Sequence, residues 1–203
     1  MDIATPIART RKPRGQGASR RGEILAAAKQ LFLQEGIEHA TMRRIAGAVG
    51  VSSTALYVYF PDKTAILDAI AEAMFDALLI AYAQSQRSGR PQLARFRDGL
   101  QSYVDLALSR PDEYRLTFDA KAAGCRGEIE AADKSFGLLQ QNIAELMQAG
   151  IFAPGDPLAV AEALWACLHG VVMLLLNQPE HLGTTPQRLV DTVLDAAVKG
   201  FLA

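Results

Sequence analysis

Residues 41–60 are TMRRIAGAVGVSSTALYVYF, and their apolar spacing predicts two short helices joined by a tight turn. Thr41 and Ser52 each precede an apolar run, which is where a hydroxyl side chain caps the start of a helix. Gly50 separates the two runs, and glycine takes the positive φ of a tight turn without steric cost. The segment therefore has the layout of a DNA-binding helix-turn-helix, although a small helical hairpin would have a similar pattern.

The apolar positions also predict which side of each short helix is buried. The inward side consists of apolar residues at helical spacing: Met42, Ile45, Ala46, Val49, Leu56 and Phe60. Five residues of the second helix and its end remain on or near the outward side: Ser53, Thr54, Ala55, Tyr57 and Tyr59. Side chains of these types can contact base edges, thymine methyl groups and phosphates.

Helical patterns follow one another along the rest of the chain, with almost no strand signal. We therefore predict an all-α fold of about nine helices, in which a three-helix helix-turn-helix domain precedes a larger helical domain. The predicted limits are residues 1–18 for a flexible basic arm, 19–67 for the first domain and 68–203 for the second. Both Asp156-Pro157 and Thr185-Pro186 combine a cap residue with a first-turn proline, and they predict the starts of the last two helices.

Charge is distributed unevenly along the 203 residues. Residues 1–67 contain ten Lys and Arg against five Asp and Glu, a net charge of +5, whereas residues 68–203 contain eleven against seventeen, a net charge of −6. This asymmetry favours a polyanion as the partner of the N-terminal part. The arm adds basic residues that could contact phosphates or the minor groove, or merely aid solubility: Arg9, Arg11, Lys12, Arg14, Arg20 and Arg21.

Residues 158–176 are apolar except for Glu162 and His169, which approaches the composition of a membrane span. Both polar side chains would then face hydrocarbon, and a helix buried between a core and a partner has the same composition. We therefore expect no membrane partner. The N-terminus lacks the apolar core of a secretory signal, and Cys125 and Cys167 lack metal-binding spacing, so we expect a cytoplasmic protein with reduced thiols.

Catalytic signatures are absent from the sequence. The three histidines, His39, His169 and His181, are scattered, and the sequence contains no nucleophile elbow, P-loop or paired carboxylates. We therefore expect no enzymatic activity, no cofactor and no metal site.

The stretch TMRRIAGAVGVSSTALYVYFPDKTAILDAI, residues 41–70, closely resembles the N-terminal domain of TetR-family regulators. The family pattern appears in register as Ile45-Ala46, Gly50-Val51-Ser52, Leu56-Tyr57, Phe60 and Lys63. Two departures are Val49, where the family often has alanine, and Ala55, which leaves the recognition helix with few hydrogen-bonding groups. The upstream stretch RGEILAAAKQLFLQEGIEHATM matches the first helix of the family, so the resemblance covers about fifty residues.

The resemblance implies DNA contacts at ten positions: Thr41, Arg43, Arg44, Ser52, Ser53, Thr54, Ala55, Tyr57, Tyr59 and Lys63. Thr41 would contact a phosphate, and Lys63 would hold another together with the start of its helix. Arg43 would enter the major groove, whereas Arg44 would stay at the backbone. The alternatives are a solvated helix face for the two arginines and a half-buried core position for Tyr57.

The run ALWACLHGVVMLLL, residues 163–176, resembles the Trp-His-Gly type of C-terminal domain found in one TetR subgroup. Trp165 and His169 are four residues apart and share a helix face. They could line an effector pocket with residues from neighbouring helices: Tyr103, Tyr114, Phe118 and Phe136. Alternatively, Trp165 belongs to the core and His169 is a hydrogen-bonded interface residue.

The family implies a homodimer in which the last two helices pack against their symmetry mates, and hence a pseudo-palindromic DNA operator. We expect a repressor that is released from its operator by a small, mainly apolar effector, through a swing of the helix that starts at Lys63. The alternatives are a regulator without a small-molecule effector and a helical dimerisation module that acts through protein partners.

Overall fold

A computed structural model describes residues 17–122 and 127–203 of the chain. Within these ranges the fold is all-α, with nine α-helices and no strand, as the sequence predicts. The helices are α1 (Gly17–Glu35), α2 (Met42–Val49), α3 (Ser53–Tyr57), α4 (Lys63–Ser85), α5 (Gln92–Ser109), α6 (Pro111–Ala122), α7 (Glu130–Gln148), α8 (Pro157–Asn177) and α9 (Pro186–Lys199). A single isolated antiparallel bridge joins Phe152 to Leu202.

Polar side chains cap four of the helices at the residues that the sequence indicates. The Thr41 hydroxyl accepts a hydrogen bond from the Arg44 amide at 3.3 Å, and the Ser52 hydroxyl accepts one from the Ala55 amide at 3.1 Å. Equivalent caps at α8 and α9 come from Asp156 and Thr185. Each cap satisfies an amide that has no partner within its helix, so the predicted helix starts are confirmed.

Two helix ends differ from those that the apolar periodicity predicts, and one further element was not predicted. The periodicity predicts that the recognition helix runs to Phe60 and that the sixth helix ends at Phe118, whereas α3 ends at Tyr57 and α6 continues to Ala122. A short 3₁₀ helix, Pro179–His181, follows α8 and was not predicted. Helix ends depend on tertiary packing as well as local propensity, which explains why periodicity locates them only approximately.

The chain forms two compact units: Met1–Ile70 with Leu116–Gly127, and Ala71–Arg115 with Glu128–Ala203. The core of the first unit is one buried cluster that joins α1, α2, α3 and the start of α4, and it includes Ile24, Ile45 and Leu56, each 0% exposed. Leu116 and Ala120 belong to the same cluster, so the end of α6 packs with this unit. The predicted first domain, residues 19–67, did not include this segment of α6.

In the second unit, α8 packs against α5, α7 and α9. Within this unit, Arg97 links α5 to α9 through an ion pair with Asp191 at 3.1 Å and another with Asp195 at 3.0 Å. Gly99 on the same helix is a close-packing position, because a Cβ added there would lie 2.8 Å from the ring of Tyr82. These contacts fix how α4, α5 and α9 lie within the unit.

Helix α8 is long and apolar enough to cross a membrane by length and composition alone, with a mean hydropathy of 2.0. One side of α8 is buried within the second unit, and it includes Leu164, Leu168 and Val172. The other side leaves Leu158 and Leu174 exposed. This is the arrangement of a core helix that also carries an apolar outer face.

Candidate nucleic-acid interface

The turn between α2 and α3 is built around Gly50. Its backbone is left-handed, with φ 72° and ψ 30°. The Gly50 amide donates to the Gly47 carbonyl at 3.1 Å and the Val51 amide to the Ala46 carbonyl at 3.0 Å, which is a Schellman motif. Val51 then packs against the buried cluster. The turn therefore ends α2 and starts α3 within three residues.

Two buried side chains hold residues 51–60, the recognition segment, against the core. Leu56 is 0% exposed and Phe60 is 2% exposed, which confirms that they face inward. The amides of Tyr59 and Phe60 both donate to the Leu56 carbonyl, at 2.9 and 3.1 Å, so the chain makes a further tight turn after α3. The guanidinium of Arg21 lies 4.9 Å from the centre of the Phe60 ring, a cation–π contact.

The predicted DNA contacts lie on one continuous part of the chain, and most of their side chains are exposed. The exposed ones are Thr41, Arg43, Arg44, Ser52, Thr54, Tyr57 and Tyr59, and the partly buried ones are Ser53, Ala55 and Lys63. Tyr57 is 52% exposed, so about half of its surface is buried and the other half is open to contact with a partner. The Ser52 hydroxyl is used as a helix cap.

The three cations of this surface differ in their contacts. The Arg44 guanidinium forms an ion pair with Glu35 at 2.5 Å. The Lys63 ammonium donates to the carbonyl of Ile37 at 2.5 Å and more weakly to that of Glu38 at 3.5 Å. Arg43 is exposed and has no ion-pair partner among the residues that the structure describes. The sequence did not indicate these contacts, because only the fold brings their partners together: Arg44 meets a side chain of α1, and Lys63 meets backbone carbonyls of the connection between α1 and α2.

Val58 is an exposed residue that the sequence reasoning missed. It is 80% exposed and lies directly after α3, between Tyr57 and Tyr59. A signal was present, since Val58 stands four residues after Thr54 and therefore continues the outward side of the recognition helix.

Part of the basic arm lies outside the described residues, namely Arg9, Arg11, Lys12 and Arg14. Arg20 and Arg21 lie within them, on α1 rather than in a flexible arm, and Arg20 pairs with Glu23 at 2.9 Å.

A hydrogen-bonded aromatic cluster forms in the second unit from residues that the sequence assigned to an effector pocket. The hydroxyl groups of Tyr103 and Tyr114 are 2.7 Å apart, and the Tyr114 hydroxyl is 2.5 Å from Nδ1 of His169. The rings of Tyr114 and His169 are stacked, with centroids 5.6 Å apart. Residues 103, 114 and 169 come from α5, α6 and α8, so the cluster fastens three helices together.

Burial sets the protonation states in this cluster. Loss of hydration raises the pKa of Tyr103 to about 12, partly offset by hydrogen bonds with Tyr114 and Trp165. Burial also raises the pKa of Tyr114 and lowers the pKa of His169. All three side chains are therefore neutral near pH 7. The tautomer of His169 sets the direction of its hydrogen bond with Tyr114: a neutral ring that accepts at Nδ1 carries its proton on Nε2, and one that donates from Nδ1 carries it there.

Trp165 extends the cluster toward the surface. Its ring lies 5.8 Å from that of His169 and 6.3 Å from that of Phe136, measured between centroids. Trp165 is 41% exposed, so the interpretation of this residue as a core tryptophan is wrong. Phe118, the sixth predicted pocket residue, lies in the segment of α6 that packs with the first unit.

Within residues 17–122 and 127–203, no group of three His, Cys, Asp or Glu side chains is placed to hold a metal ion.

Two family models match the chain. Residues 24–70 match the model described as "Bacterial regulatory proteins, tetR family", and residues 96–197 match "Tetracyclin repressor-like, C-terminal domain". The first match contains the helix-turn-helix, and the second contains Tyr103, Tyr114 and His169.

Curated relatives match over part of their length. The nucleoid occlusion factor SlmA of Haemophilus influenzae is 36% identical over 98 residues, which are 48% of this chain and 45% of the relative. The HTH-type transcriptional regulator RutR of Escherichia coli K12 is 27% identical over 156 residues, covering 73% of this chain and 72% of the relative. The chain thus spans about half the length of the first of these relatives.

Solved structures match over nearly the whole chain. A protein of unknown function from Rhodococcus sp. RHA1 is 28% identical, with a TM-score of 0.79 and coverage of 95% of this chain and 100% of that one. AibR, in complex with isovaleryl coenzyme A and operator DNA, is 19% identical, with a TM-score of 0.69 and coverage of 87% and 97%. The latter likeness concerns the fold alone.

Proposed function

Since this chain belongs to the TetR family of bacterial regulatory proteins, we propose that it is a DNA-binding transcriptional regulator that acts as a repressor. The observation that carries the proposal is the helix-turn-helix itself. Capped helices α2 and α3 meet at the left-handed Gly50, and this arrangement leaves Arg43, Tyr57 and Tyr59 exposed on neighbouring parts of the chain. Repression is the favoured direction because occupying a promoter requires no further contact surface.

The DNA contacts divide by chemistry. Thr54, Tyr57 and Tyr59 carry hydroxyl groups that can reach bases and phosphates, and Arg43 can enter the major groove. Arg44 and Lys63 would contact the DNA backbone rather than bases, because an ion pair and carbonyl contacts already hold their charged groups in place. Lys63 keeps donor capacity for a phosphate, since an ammonium has three N–H groups.

A homodimer is the assembly that fits this function. Helix α8 exposes Leu158 and Leu174 beside small residues, among them Ala159, Ala163 and Ala166. Small residues allow the close approach of a second helix, and covering the apolar face would remove it from water. Two copies related by a twofold axis would place two recognition helices on successive turns of DNA, so the operator would be a pseudo-palindrome.

The effector belongs to the second unit in this proposal. The neutral cluster of Tyr103, Tyr114 and His169 offers polar groups within aromatic surroundings, which suits a mainly apolar ligand with a polar group. The complex of AibR with isovaleryl coenzyme A and operator DNA supports a fold of this kind serving both ligands. Effector binding would favour a conformation whose helix α4 no longer sets the operator spacing.

The proposed regulator works in the cytoplasm, without enzymatic activity or a cofactor. All three expectations rest on the family, and the absence of catalytic motifs from the sequence supports the last two.

Selection of bound duplexes from a randomised library at physiological salt tests the DNA-binding part. The native chain should recover an inverted repeat, and an Arg43→Ala/Tyr57→Ala variant should recover none. Both side chains are exposed, so the variant should keep its fold, which thermal unfolding checks. If both proteins recover nothing, or only salt-sensitive random sequence, the proposal is overturned and a module that acts through protein partners is favoured. Recovery of the same repeat by both proteins would instead remove Arg43 and Tyr57 from the DNA contacts and leave the DNA-binding function standing.

Screening the recovered operator against a panel of small molecules then tests the effector. A matched His169→Asn variant should respond more weakly to any molecule that releases the native chain. If no molecule in a broad panel changes the DNA affinity of the native chain, the regulator without an effector is the better account.

A further inference from the structure

The recognition segment lacks the side chains that usually identify bases by paired hydrogen bonds. Residues 51–60 are VSSTALYVYF, which includes no Arg, Lys, Asn, Gln, Asp or Glu. Guanine is commonly read by Arg or Lys and adenine by Asn or Gln, each through two hydrogen bonds. If this segment discriminates between bases in the major groove, it must do so largely through apolar contacts, single hydroxyl groups or DNA shape.

Val58 is the apolar side chain of this segment that is most available for contact. At 80% exposure it is the most exposed of the large hydrophobic residues in the part of the chain that the structure describes. Its helical backbone, with φ −66° and ψ −30°, places it on the same face as Thr54, one turn earlier. Leu56 and Phe60 are both buried, and the hydrogen bonds to the Leu56 carbonyl hold the segment on either side of Val58.

Val58 is also suited to an apolar contact by its own chemistry. A β-branched side chain has restricted χ1 rotation, so little side-chain entropy is lost when it is covered. Its methyl groups can pack against the C5-methyl group of thymine, which in the major groove distinguishes thymine from cytosine.

The surroundings of Val58 favour DNA over a protein as the occupant of this surface. Exposed Arg43 lies on α2 of the same helix-turn-helix, and residues 1–67 carry a net charge of +5. Tyr57 and Tyr59, on either side of Val58, bring hydroxyl groups that can bond to phosphates.

We propose that Val58 is a specificity-determining residue that reads thymine through its C5-methyl group in each half of the operator. The inference rests on the proposed DNA-binding function, and it adds a residue and a base that the family resemblance does not supply.

The test replaces single thymines of the recovered operator with deoxyuridine, which removes the methyl group and keeps every hydrogen-bonding atom. Affinity is measured by fluorescence anisotropy for the native chain, for Val58→Ala and for Ile80→Ala. Ile80 is a matched control because it is β-branched, 60% exposed and located on α4, outside the recognition segment. Thermal unfolding checks that all three proteins are folded.

At one thymine position in each half-site, replacement by deoxyuridine should weaken the binding of the native chain and of Ile80→Ala about fourfold. This is the loss of affinity expected for one buried methyl group. Val58→Ala should bind the thymine operator about four- to tenfold more weakly and should no longer distinguish thymine from deoxyuridine at that position. Native binding that is insensitive to deoxyuridine at every position would overturn the proposal, and so would sensitivity that persists unchanged in Val58→Ala. Either result leaves the DNA-binding function standing, whereas failure to recover any operator removes that function first.

Discussion

Replacing Gly50 by alanine and, in a separate variant, Gly47 by alanine tests the turn of the helix-turn-helix in isolation. Neither added Cβ would meet another atom within 4 Å, so packing does not separate the two variants. The backbone does, because Gly50 has φ 72° whereas Gly47 lies within α2 and has no positive φ. An alanine in the left-handed region costs about 1–2 kcal/mol, partly offset by the lower entropy of the unfolded chain.

We therefore expect the free energy of unfolding of Gly50→Ala to be about 1 kcal/mol lower than that of the native chain. Gly47→Ala should be more stable than the native chain by about 0.5–1 kcal/mol, because alanine is the better helix former. Asparagine tolerates the left-handed region better than alanine, so Gly50→Asn should recover part of the loss. Urea unfolding measures all three at one fixed protein concentration, so that any contribution of dimer dissociation is the same for each variant. If Gly50→Ala proves as stable as Gly47→Ala, the left-handed turn does not hold this motif together.

Three further predictions concern other parts of the chain. Gly99→Ala should destabilise the second unit by about 1–3 kcal/mol in urea unfolding, since its Cβ would lie 2.8 Å from the Tyr82 ring; unchanged stability would contradict the packing. Leu56→Ala should cost about 2–5 kcal/mol and weaken DNA binding with it, because Leu56 is 0% exposed in the first core; a loss below about 1 kcal/mol would contradict this burial. Burial lowers the pKa of His169, so the unfolded chain binds a proton at this residue more readily than the folded chain does. The free energy of unfolding should therefore decrease as the pH drops below about 6.5. Thermal unfolding between pH 7.5 and 5.5 should show a smaller fall for His169→Asn, whereas an equal fall would show that His169 does not carry this pH dependence.

The sequence predicts the helix-turn-helix well because its determinants are local. Thr41 and Ser52 cap the helices that follow them, Gly50 takes the left-handed turn, and Leu56 and Phe60 face the core. Each of these features depends on residues within a few positions of one another. Caps, turns and helical periodicity are therefore visible without knowledge of the tertiary fold.

Contacts between distant residues could not be predicted in the same way. Lys63 donates to the carbonyl of Ile37, 26 residues away, and Tyr114 lies beside His169, 55 residues away. The sequence grouped Tyr114 and His169 as pocket residues from the family resemblance, yet their hydrogen bond follows from the packing of α6 against α8. Packing likewise decides where α6 ends, because Ala120 continues the helix into the buried cluster of the first unit.

Exposure was the other property that the sequence described incompletely. Trp165 is 41% exposed although the helix around it is almost wholly apolar, and Val58 is 80% exposed within a segment rich in buried residues. An apolar residue can face either a core or a partner, and composition does not distinguish the two. The exposed apolar side chains of this chain are therefore where its partners are to be sought.

The affinity of the native chain for its recovered operator and for a scrambled duplex of equal length, at physiological salt, tests the central claim most directly. We predict a preference for the operator of at least about a thousandfold, as is usual for specific binding, and a large loss of that preference in Arg43→Ala/Tyr57→Ala. Equal affinity for the two duplexes, falling steeply as salt rises, would mean that only charge attracts this chain to DNA. That result would contradict the account of residues 41–60 as a sequence-reading surface.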